Sequence, residues 1–394
     1  MCVGEMNIFE KRNQLAEVYA EWYNYRNRLY PDFVTSSRVS SIPEYIPVFS
    51  FHNVTNDDLL LKLNYLMQNG YSTINSDEYA YLNGKSNGER LVMLTFDDGL
   101  VSLCNVVAPL LRAYQMCAVA FVIPGEIDQE EGGGVVEPNN GDGRLLCSWE
   151  QLEAMKDVID IQSHSMYHWL IFESSIVSSF FSPQIKSKFQ KIDWPIPRRN
   201  GIDHPERDIG FGWPIYKTNS RLSGSLRVYE NAEITEAMMS YVEERGGADF
   251  FNSPGWEKAL NSEHTRLAHG AKFETETPDQ RLASVTHCID ASKQVIEEKM
   301  KKEVKGFCFP FGIGSPETEA IAQKGGYSLA YYGVRPNFNT GKAGEFTTLR
   351  RVTRLKDDYL FRLPGENRKS LMKIFYEKAE RRVANLLYDK GNIR

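Results

Sequence analysis

The chain has 394 residues, of which 42% are hydrophobic and 25% charged, and its formal net charge is −6. This composition excludes a disordered chain and a coiled coil, and the length allows a large buried core. The acidic excess excludes the basic surface that binds nucleic acid or an anionic membrane, so we expect a small-molecule or glycan substrate.

The amino-terminal segment carries charged side chains throughout and lacks the apolar core and cleavage site of a secretory signal. No later run is long and apolar enough to predict a membrane span. The six cysteines show no paired spacing, which favours reduced thiols over disulfides or a cysteine zinc site. Together these features predict a cytoplasmic protein.

Seven apolar segments have the length and composition of β-strands, and helical patterns separate most of them. The strands are predicted at 46–51, 91–96, 118–123, 158–163, 304–309, 328–332 and 348–352, and the helices at 57–69, 101–115, 148–157 and 279–302. Ser148 and Gln151 form the pattern of a capping box at the start of the third helix. This alternation predicts an α/β protein with a parallel sheet, and seven such strands can close into a barrel.

Two segments depart from this alternation. The stretch 128–143 is acidic and rich in glycine, which predicts a mobile loop. Residues 170–275 are rich in Trp, Tyr, Pro and Arg, and helical patterns at 233–246 and 254–269 predict a folded cap inserted into the barrel. Within the insertion, Trp213, Tyr216 and Arg221 either border the substrate or belong to the cap's own core, and the second interpretation is favoured.

Asp97 and Asp98 end the second predicted strand in the stretch "LVMLTFDDGL". An Asp-Gly pair is first of all a turn signal, but a helical pattern follows here instead of the second strand of a hairpin. The carboxyl end of a parallel strand is where catalytic groups gather in α/β folds. Neighbouring side chains on extended backbone point to opposite faces, so the two carboxylates can serve different tasks.

His164 and His168 follow the fourth predicted strand in "DIQSHSMYH", four residues apart. Such a pair is often structural or exposed, but it also has the spacing that grips a metal ion. Two histidines and one carboxylate leave zinc an open position for water, which makes a metal site the sharper hypothesis beside the aspartates. A third segment, "FCFPFGIGS", is a strand broken by Pro310 and Gly312, as in an ordinary exit into a loop.

Taken together, "TFDDG", "HSMYH" and "FPFG" resemble the polysaccharide deacetylases of the NodB-homology type, carbohydrate esterase family four. The resemblance covers residues 44–169 and 276–355. It leaves outside the helical extensions at 1–43 and 356–394 and the insertion at 170–275. It implies a distorted (β/α)7 barrel that removes acetyl groups from N-acetylated sugars with the help of a divalent metal. Zinc is the first candidate for that metal, and other first-row metals are alternatives.

The resemblance also implies roles for individual residues. Asp97 corresponds to the general base, and the metal ligands correspond to Asp98, His164 and His168. Substrate-binding residues are expected in the third motif and the last predicted strand, namely Phe309, Pro310, Phe311, Gly312 and Arg351.

Two departures from the family pattern stand out. Cys308 occupies the position of the arginine that pairs with the base, so Arg350 or Arg351 is expected to replace it. The chain has no histidine after His287 to act as the family's general acid. His52, at the end of the first predicted strand, is the replacement, as in the circularly permuted deacetylases, although a structural role is open.

The remaining histidines, His204, His264, His269 and His287, are expected at the surface. The sequence as a whole therefore predicts a metal-dependent deacetylase that acts on an N-acetyl amino sugar or a related small N-acyl compound, whether nucleotide-linked, lipid-linked or free. Another carbon–nitrogen hydrolase with a non-sugar substrate is the first alternative, because one fold accepts many substrates through its loops. A catalytically inactive sugar-binding module is the second.

Overall fold

The computed structural model describes residues 19–38, 41–131, 145–188, 191–199, 201–204, 209–334 and 348–391. The strands are β1 Val48–Phe51, β2 Ser72–Thr73, β3 Leu91–Phe96, β4 Ala118–Val122, β5 Ile159–Ser163, β6 Leu170–Phe180, β7 Arg198–Arg199, β8 Ile202–Asp203, β9 Pro214–Ser220, β10 Gly306–Cys308, β11 Leu329–Gly333 and β12 Arg350–Lys356. The α-helices are Asp32–Thr35, Asn56–Gln68, Ser76–Tyr81, Ala108–Tyr114, Pro124–Glu131, Trp149–Ala154, Pro183–Lys188, Ala232–Glu243, Trp256–Ala268, Pro278–Met300, Pro316–Lys324 and Leu371–Gly391. A π-helical turn, Leu103–Val107, leads into the fourth of these helices, and 3₁₀ turns lie at Lys191–Asp193, Gly247–Asn252, Pro310–Gly312 and Asp357–Arg362.

Seven parallel strands form a closed barrel in the order β1, β12, β11, β10, β5, β4, β3, and the pairing of β3 with β1 completes the ring. The short β2 pairs with β3 beside the ring. The seven barrel strands are the seven that the sequence predicts, so the predicted (β/α)7 fold is confirmed. The last strand continues to Lys356, four residues beyond its predicted end, and this extension places an additional side chain in the barrel.

Alternation along the barrel strands sorts their side chains into two layers. Leu94 and Phe96 of β3 face outward and pack in the large core formed with the helices. Met93 faces the barrel interior, where it joins a smaller cluster that includes Val352 of β12. Because side chains alternate along a strand, Thr95 and then Asp97 continue the inward row of Met93. The inward row of β3 therefore leads into the carboxyl end of the barrel.

The helices begin at the signals that the sequence contains. Ser148 and Gln151 form the predicted capping box at the start of Trp149–Ala154. A second capping box, from Thr277 and Gln280, begins the long helix Pro278–Met300. Such caps satisfy backbone N–H groups that have no partner within the helix.

The insertion has two small cores of its own, built on the antiparallel pair β6 and β9 and on the helices Ala232–Glu243 and Trp256–Ala268. Trp213 and Tyr216 are buried in it, which agrees with the favoured interpretation of these aromatic residues. Arg221 is also buried, and its guanidinium group donates two hydrogen bonds to Glu276. The domain boundaries at 43, 169, 275 and 355 stay predictions.

One expected surface residue is buried. His264 lies one turn after Leu260 on the buried face of its helix, and its Nε2 is 3.1 Å from the hydroxyl of Tyr216. The surface prediction was therefore wrong for His264, because its helix presents that face to the core of the insertion. His269 and His287 are exposed, and His204 is partly exposed.

Five of the six cysteines lie in the described parts of the chain, and all five are free thiols. Most of the predicted loop 128–143 lies outside the described residues, and its first four positions end the helix Pro124–Glu131. Among the described residues, every helix is too short or too polar to cross a lipid bilayer.

Candidate active site

Asp97 and Asp98 diverge at the carboxyl end of β3 because the backbone turns between them. The amide of Asp97 donates a hydrogen bond to the carbonyl of Phe51 (3.0 Å), which extends the pairing with β1 by one residue. Asp98 then takes a left-handed conformation, with φ of 71°. This conformation is uncommon outside glycine, although Asp and Asn adopt it more readily than most residues. Both carboxylates are buried and face different partners.

Asp97 is paired with Arg354, a residue of the extended part of β12. The guanidinium donates from Nη1 to Oδ1 (2.5 Å) and from Nη2 to Oδ2 (2.9 Å), and both side chains are buried. Burial alone would raise the pKa of Asp97, but the Arg354 charge holds it well below its usual range. Asp97 therefore stays ionised and able to accept a proton.

The arginine partner of Asp97 is not one of the two that the sequence suggested. Arg350 donates to the side chain and carbonyl of Asn83, and Arg351 forms a two-pronged contact with Glu319 (2.9 Å each). Alternation along "RRVTRLK" places Arg354 on the same face as Val352, which is buried inside the barrel. That signal would have identified Arg354 if the strand had been predicted to its full length.

Asp98 lies close to both predicted metal-binding histidines, His164 and His168. Its Oδ1 lies 3.5 Å from Nε2 of His164 and 3.8 Å from Nε2 of His168. The three donor atoms lie within 4.8 Å of one another, and all three residues are buried. Tetrahedral ligands with metal bonds of about 2.1 Å stand about 3.4 Å apart, which is close to these separations. The donor set therefore fits a divalent metal such as zinc.

His164 is held in the form that a metal requires. Its Nδ1 lies 2.8 Å from the carbonyl oxygen of Cys308 and donates to it, which leaves the lone pair of Nε2 directed at Asp98. Burial lowers the pKa of His164 to about 3, so the imidazole is neutral. Cys308 itself is buried with Sγ 3.9 Å from Oδ1 of Asp97, and burial raises the pKa of its thiol.

His52 lies at the outer edge of the same site. It follows β1, and its Nε2 is 3.7 Å from Oδ2 of Asp97. Its side chain is 65% exposed, in contrast to the buried Asp97. The pairing of β1 with β3 thus places His52 at the same end of the barrel as both aspartates.

The third motif contributes unequally to the site. Phe309 is fully buried and stacks on Tyr332, with ring centroids 4.7 Å apart, and Pro310 is buried beside it. Phe311 is 41% exposed, and its ring centroid lies 4.2 Å from that of His168. Both Phe311 and Gly312 have positive φ, so the chain turns sharply where it presents the Phe311 ring. Within this motif, Phe311 is the exposed side chain that lies beside His168.

The loop that carries the two histidines packs tightly on Gly125. The amide of Gly125 donates to the carbonyl of Met166 (2.9 Å), and an added Cβ would lie 2.2 Å from the ring of Tyr167. We expect Gly125→Ala to lower the free energy of unfolding by about 1–3 kcal/mol, because backbone and ring must both move. Urea unfolding measures this, with Gly224→Ala as the control, where an added Cβ meets nothing within 4 Å. Equal stability of the two variants would contradict the packing described.

The closed ring of seven parallel strands, with these motifs at its carboxyl end, defines an α/β barrel. Residues 84–198 match the family model for polysaccharide deacetylase. The chain is also similar to "Putative polysaccharide deacetylase YxkH" of Bacillus subtilis (strain 168), with 25% identity over 136 residues. That match spans 32% of this chain and 44% of the relative, less than half its length. The predicted resemblance to polysaccharide deacetylases is confirmed.

Two solved structures align with most of this chain. A de-N-acetylase from Aggregatibacter actinomycetemcomitans aligns with a TM-score of 0.48 and 16% identity, over 79% of this chain and 94% of that one. The BpsB deacetylase domain from Bordetella bronchiseptica aligns with a TM-score of 0.48 and 15% identity, over 80% and 97%.

Proposed function

We propose that the protein is a metal-dependent hydrolase that removes the acetyl group from an N-acetyl amino sugar or a related small N-acyl compound. The observation that carries the proposal is the group of Asp98, His164 and His168, whose donor atoms lie within 4.8 Å of one another beside a second, ionised aspartate. A module that only binds sugar has no need of a base next to three metal-binding side chains. The match to polysaccharide deacetylase over residues 84–198 supports the acyl amide as the bond that is cleaved.

Asp98, His164 and His168 would hold the divalent metal. When bound, such a cation supplies Lewis-acid polarisation of the acyl oxygen and acidifies water. His164 suits that task because its imidazole is neutral, and the nitrogen that binds a metal must carry no proton. Zinc is the first candidate, since two histidines and one carboxylate form a known open zinc site.

Asp97 is the proposed general base. Its carboxylate oxygens each receive one hydrogen bond from Arg354 and keep further lone pairs for a proton. Arg354 stabilises the ionised form, so Asp97 is ready to accept the proton of the attacking water at neutral pH. The same pairing makes Asp97 a weak base, which removes a proton only from a water molecule that has already been acidified.

His52 is the proposed general acid for the amine that leaves. Its imidazole lies at the edge of the site, 3.7 Å from Asp97. From there it could reach the amine nitrogen of a substrate bound at the site. Proton donation by His52 would complete the reaction: the acyl carbon–nitrogen bond breaks, acetate is released, and the nitrogen takes the proton of the imidazole.

We expect His52→Gln to lower kcat by roughly 10²-fold, the lower end of the range for general acid catalysis, because water has access to this exposed position. Metal content should not change, since His52 is not among the three metal-binding residues. The measurement is acetate release at saturating substrate, with His287→Gln, an exposed histidine on the barrel helix, as the control. Near-parental kcat on a slow amide substrate would remove His52 from the mechanism.

Phe311 is the proposed platform for the sugar ring. An exposed aromatic face next to a polar site stacks on the apolar face of a pyranose, and Phe311 lies directly beside His168. Phe309, Pro310 and Gly312 would shape the turn that presents it. Arg351 remains a predicted substrate contact, although its guanidinium is already paired with Glu319.

Acetate release from purified, zinc-loaded protein tests the proposed function. The substrate panel contains N-acetylglucosamine oligomers, a nucleotide-linked N-acetyl sugar and N-acetylated amino acids. Acetate from a sugar, lost on treatment with a chelator and restored by zinc, is the expected result. Hydrolysis of the amino acid derivatives alone would assign the protein to another class of carbon–nitrogen hydrolase, and binding without hydrolysis would favour a sugar-binding module.

A further inference from the structure

We infer that Asp193, a residue of the inserted segment, is a positioning residue for the metal ligand His168. The inference deepens the proposed function and rests on its metal site. The insertion then has a direct part in the metal centre: the barrel supplies the three ligands, and the cap supplies the carboxylate that orients one of them.

The two ring nitrogens of His168 face two different carboxylates. Nε2 lies 3.8 Å from Oδ1 of Asp98, in the group of metal-binding atoms, and Nδ1 lies 3.2 Å from Oδ1 of Asp193. A metal-binding histidine commonly donates its other N–H to a carboxylate, which fixes the tautomer and raises the basicity of the ligand nitrogen. The 3.2 Å separation brings Asp193 within the distance of such a contact, although Nδ1 of His168 and Oδ1 of Asp193 are not aligned as a hydrogen bond in this structure.

The position of Asp193 is set by buried neighbours on both sides. Ile192 and Trp194 are 3% and 9% exposed. The Trp194 ring packs against Phe181 in the core of the insertion, with centroids 4.8 Å apart. Asp193 therefore lies on a turn whose flanking side chains are anchored, while its own side chain is 34% exposed and reaches His168.

The turn is also connected to the segment that follows His168 along the chain. Pro195 forms a bridge with Leu170, and the amide of Ile196 donates to the carbonyl of Leu170 (3.4 Å). Leu170 begins β6, two residues after His168. The strand that leaves the metal site and the turn that returns to it are thus held together by backbone contacts, which restricts the distance between Asp193 and His168.

The two histidine ligands would then be supported in different ways. Nδ1 of His164 contacts a backbone carbonyl of the barrel, that of Cys308, and Nδ1 of His168 contacts a charged side chain of the insertion. A carboxylate stabilises the ligand form of an imidazole more than a neutral carbonyl does, because the carboxylate carries a full negative charge. Loss of the Asp193 charge should therefore weaken metal binding without removing any ligand.

Cobalt(II) binding to the full chain tests the inference. Metal-free parent, Asp193→Asn, Asp193→Glu and Asp249→Asn are titrated with Co²⁺ against a chelator, and the visible ligand-field spectrum is recorded. We expect Asp193→Asn to lower Co²⁺ affinity by about 10–100-fold and to shift the spectrum. Asp193→Glu should recover part of the affinity, because it restores the charge. Asp249→Asn, which changes an aspartate on another 3₁₀ turn of the insertion, should bind as the parent does.

The outcomes separate this inference from the proposed function. If the parent and Asp249→Asn bind Co²⁺ and Asp193→Asn binds it equally well with the same spectrum, the positioning role is overturned and the metal site stands. If the parent binds no metal, the proposed metal site falls, and the inference falls with it. Thermal unfolding of the metal-free proteins supplies the structural control. Asp193→Asn and Asp193→Glu could instead lose Co²⁺ affinity equally and both unfold at lower temperature without metal. That result would identify Asp193 as a structural residue of the cap only.

Discussion

Asp98→Asn is expected to release the metal and leave the barrel folded. Asparagine tolerates the left-handed conformation of residue 98 and has nearly the same shape as aspartate, so the turn after β3 should be kept. The variant loses the charged oxygen ligand that lies 3.5 Å and 3.8 Å from the two histidine nitrogens. We expect metal affinity to fall by more than about 100-fold. This loss is larger than the one expected when a residue that only contacts a metal ligand is removed.

Elemental analysis after dialysis measures this effect, and acetate release should fall in parallel. Asp157→Asn is the matched control, because Asp157 is an exposed aspartate that precedes β5 and contacts Arg112. The control should retain metal and activity. Full metal occupancy in Asp98→Asn would remove Asp98 from the metal site and leave the two histidines to be explained as structural.

Asp97→Asn is expected to retain the metal and to lose turnover by roughly 10⁴-fold, because an amide cannot accept the proton of the attacking water. The change also affects stability. It leaves the guanidinium of Arg354 buried without its ionised partner, and breaking a buried pair in this way costs about 3–5 kcal/mol. Metal content, acetate release and urea unfolding should be measured on the same preparation.

A double variant separates the catalytic effect from the loss of stability. Asp97→Asn combined with Arg354→Met removes the unpaired charge, and replacing a buried ion pair with neutral groups of similar size is often close to neutral for stability. We expect the double variant to regain much of the free energy of unfolding and none of the turnover. If Asp97→Asn loses metal in proportion to activity, the roles assigned to the two aspartates would have to be merged.

The fold was predictable because its signals are local. Each barrel strand is an apolar run with a turn or a helical pattern after it, and these patterns depend on residues a few positions apart. The motifs could be assigned to one site for a related reason: the carboxyl ends of parallel strands meet at one end of a barrel. Asp97, Asp98, His164 and His168 therefore come together wherever the barrel closes, and His52 joins them because β1 pairs with β3.

The tertiary structure determines which other side chains these residues contact. Arg350, Arg351 and Arg354 lie in one short strand, and which of them reaches Asp97 depends on where that strand ends and how it is aligned in the closed barrel. The local pattern ended the strand at residue 352, whereas pairing with β1 extends it through Leu355 and Lys356. His264 was misplaced for a similar reason, since the buried face of its helix exists only once the insertion folds on it.

The contact between His168 and Asp193 is the clearest case of a feature that no local pattern contains. The long strand β6 and the helix Pro183–Lys188 separate the two residues along the chain, and no periodicity relates them. The contact forms because Ile192 and Trp194 are buried in the insertion and backbone bonds hold that turn to Leu170. The sequence by itself determined which side chains end the barrel strands, because strand and turn signals act over a few residues. Barrel closure and the docking of the insertion determined what those side chains contact, because such contacts depend on the packing of distant segments.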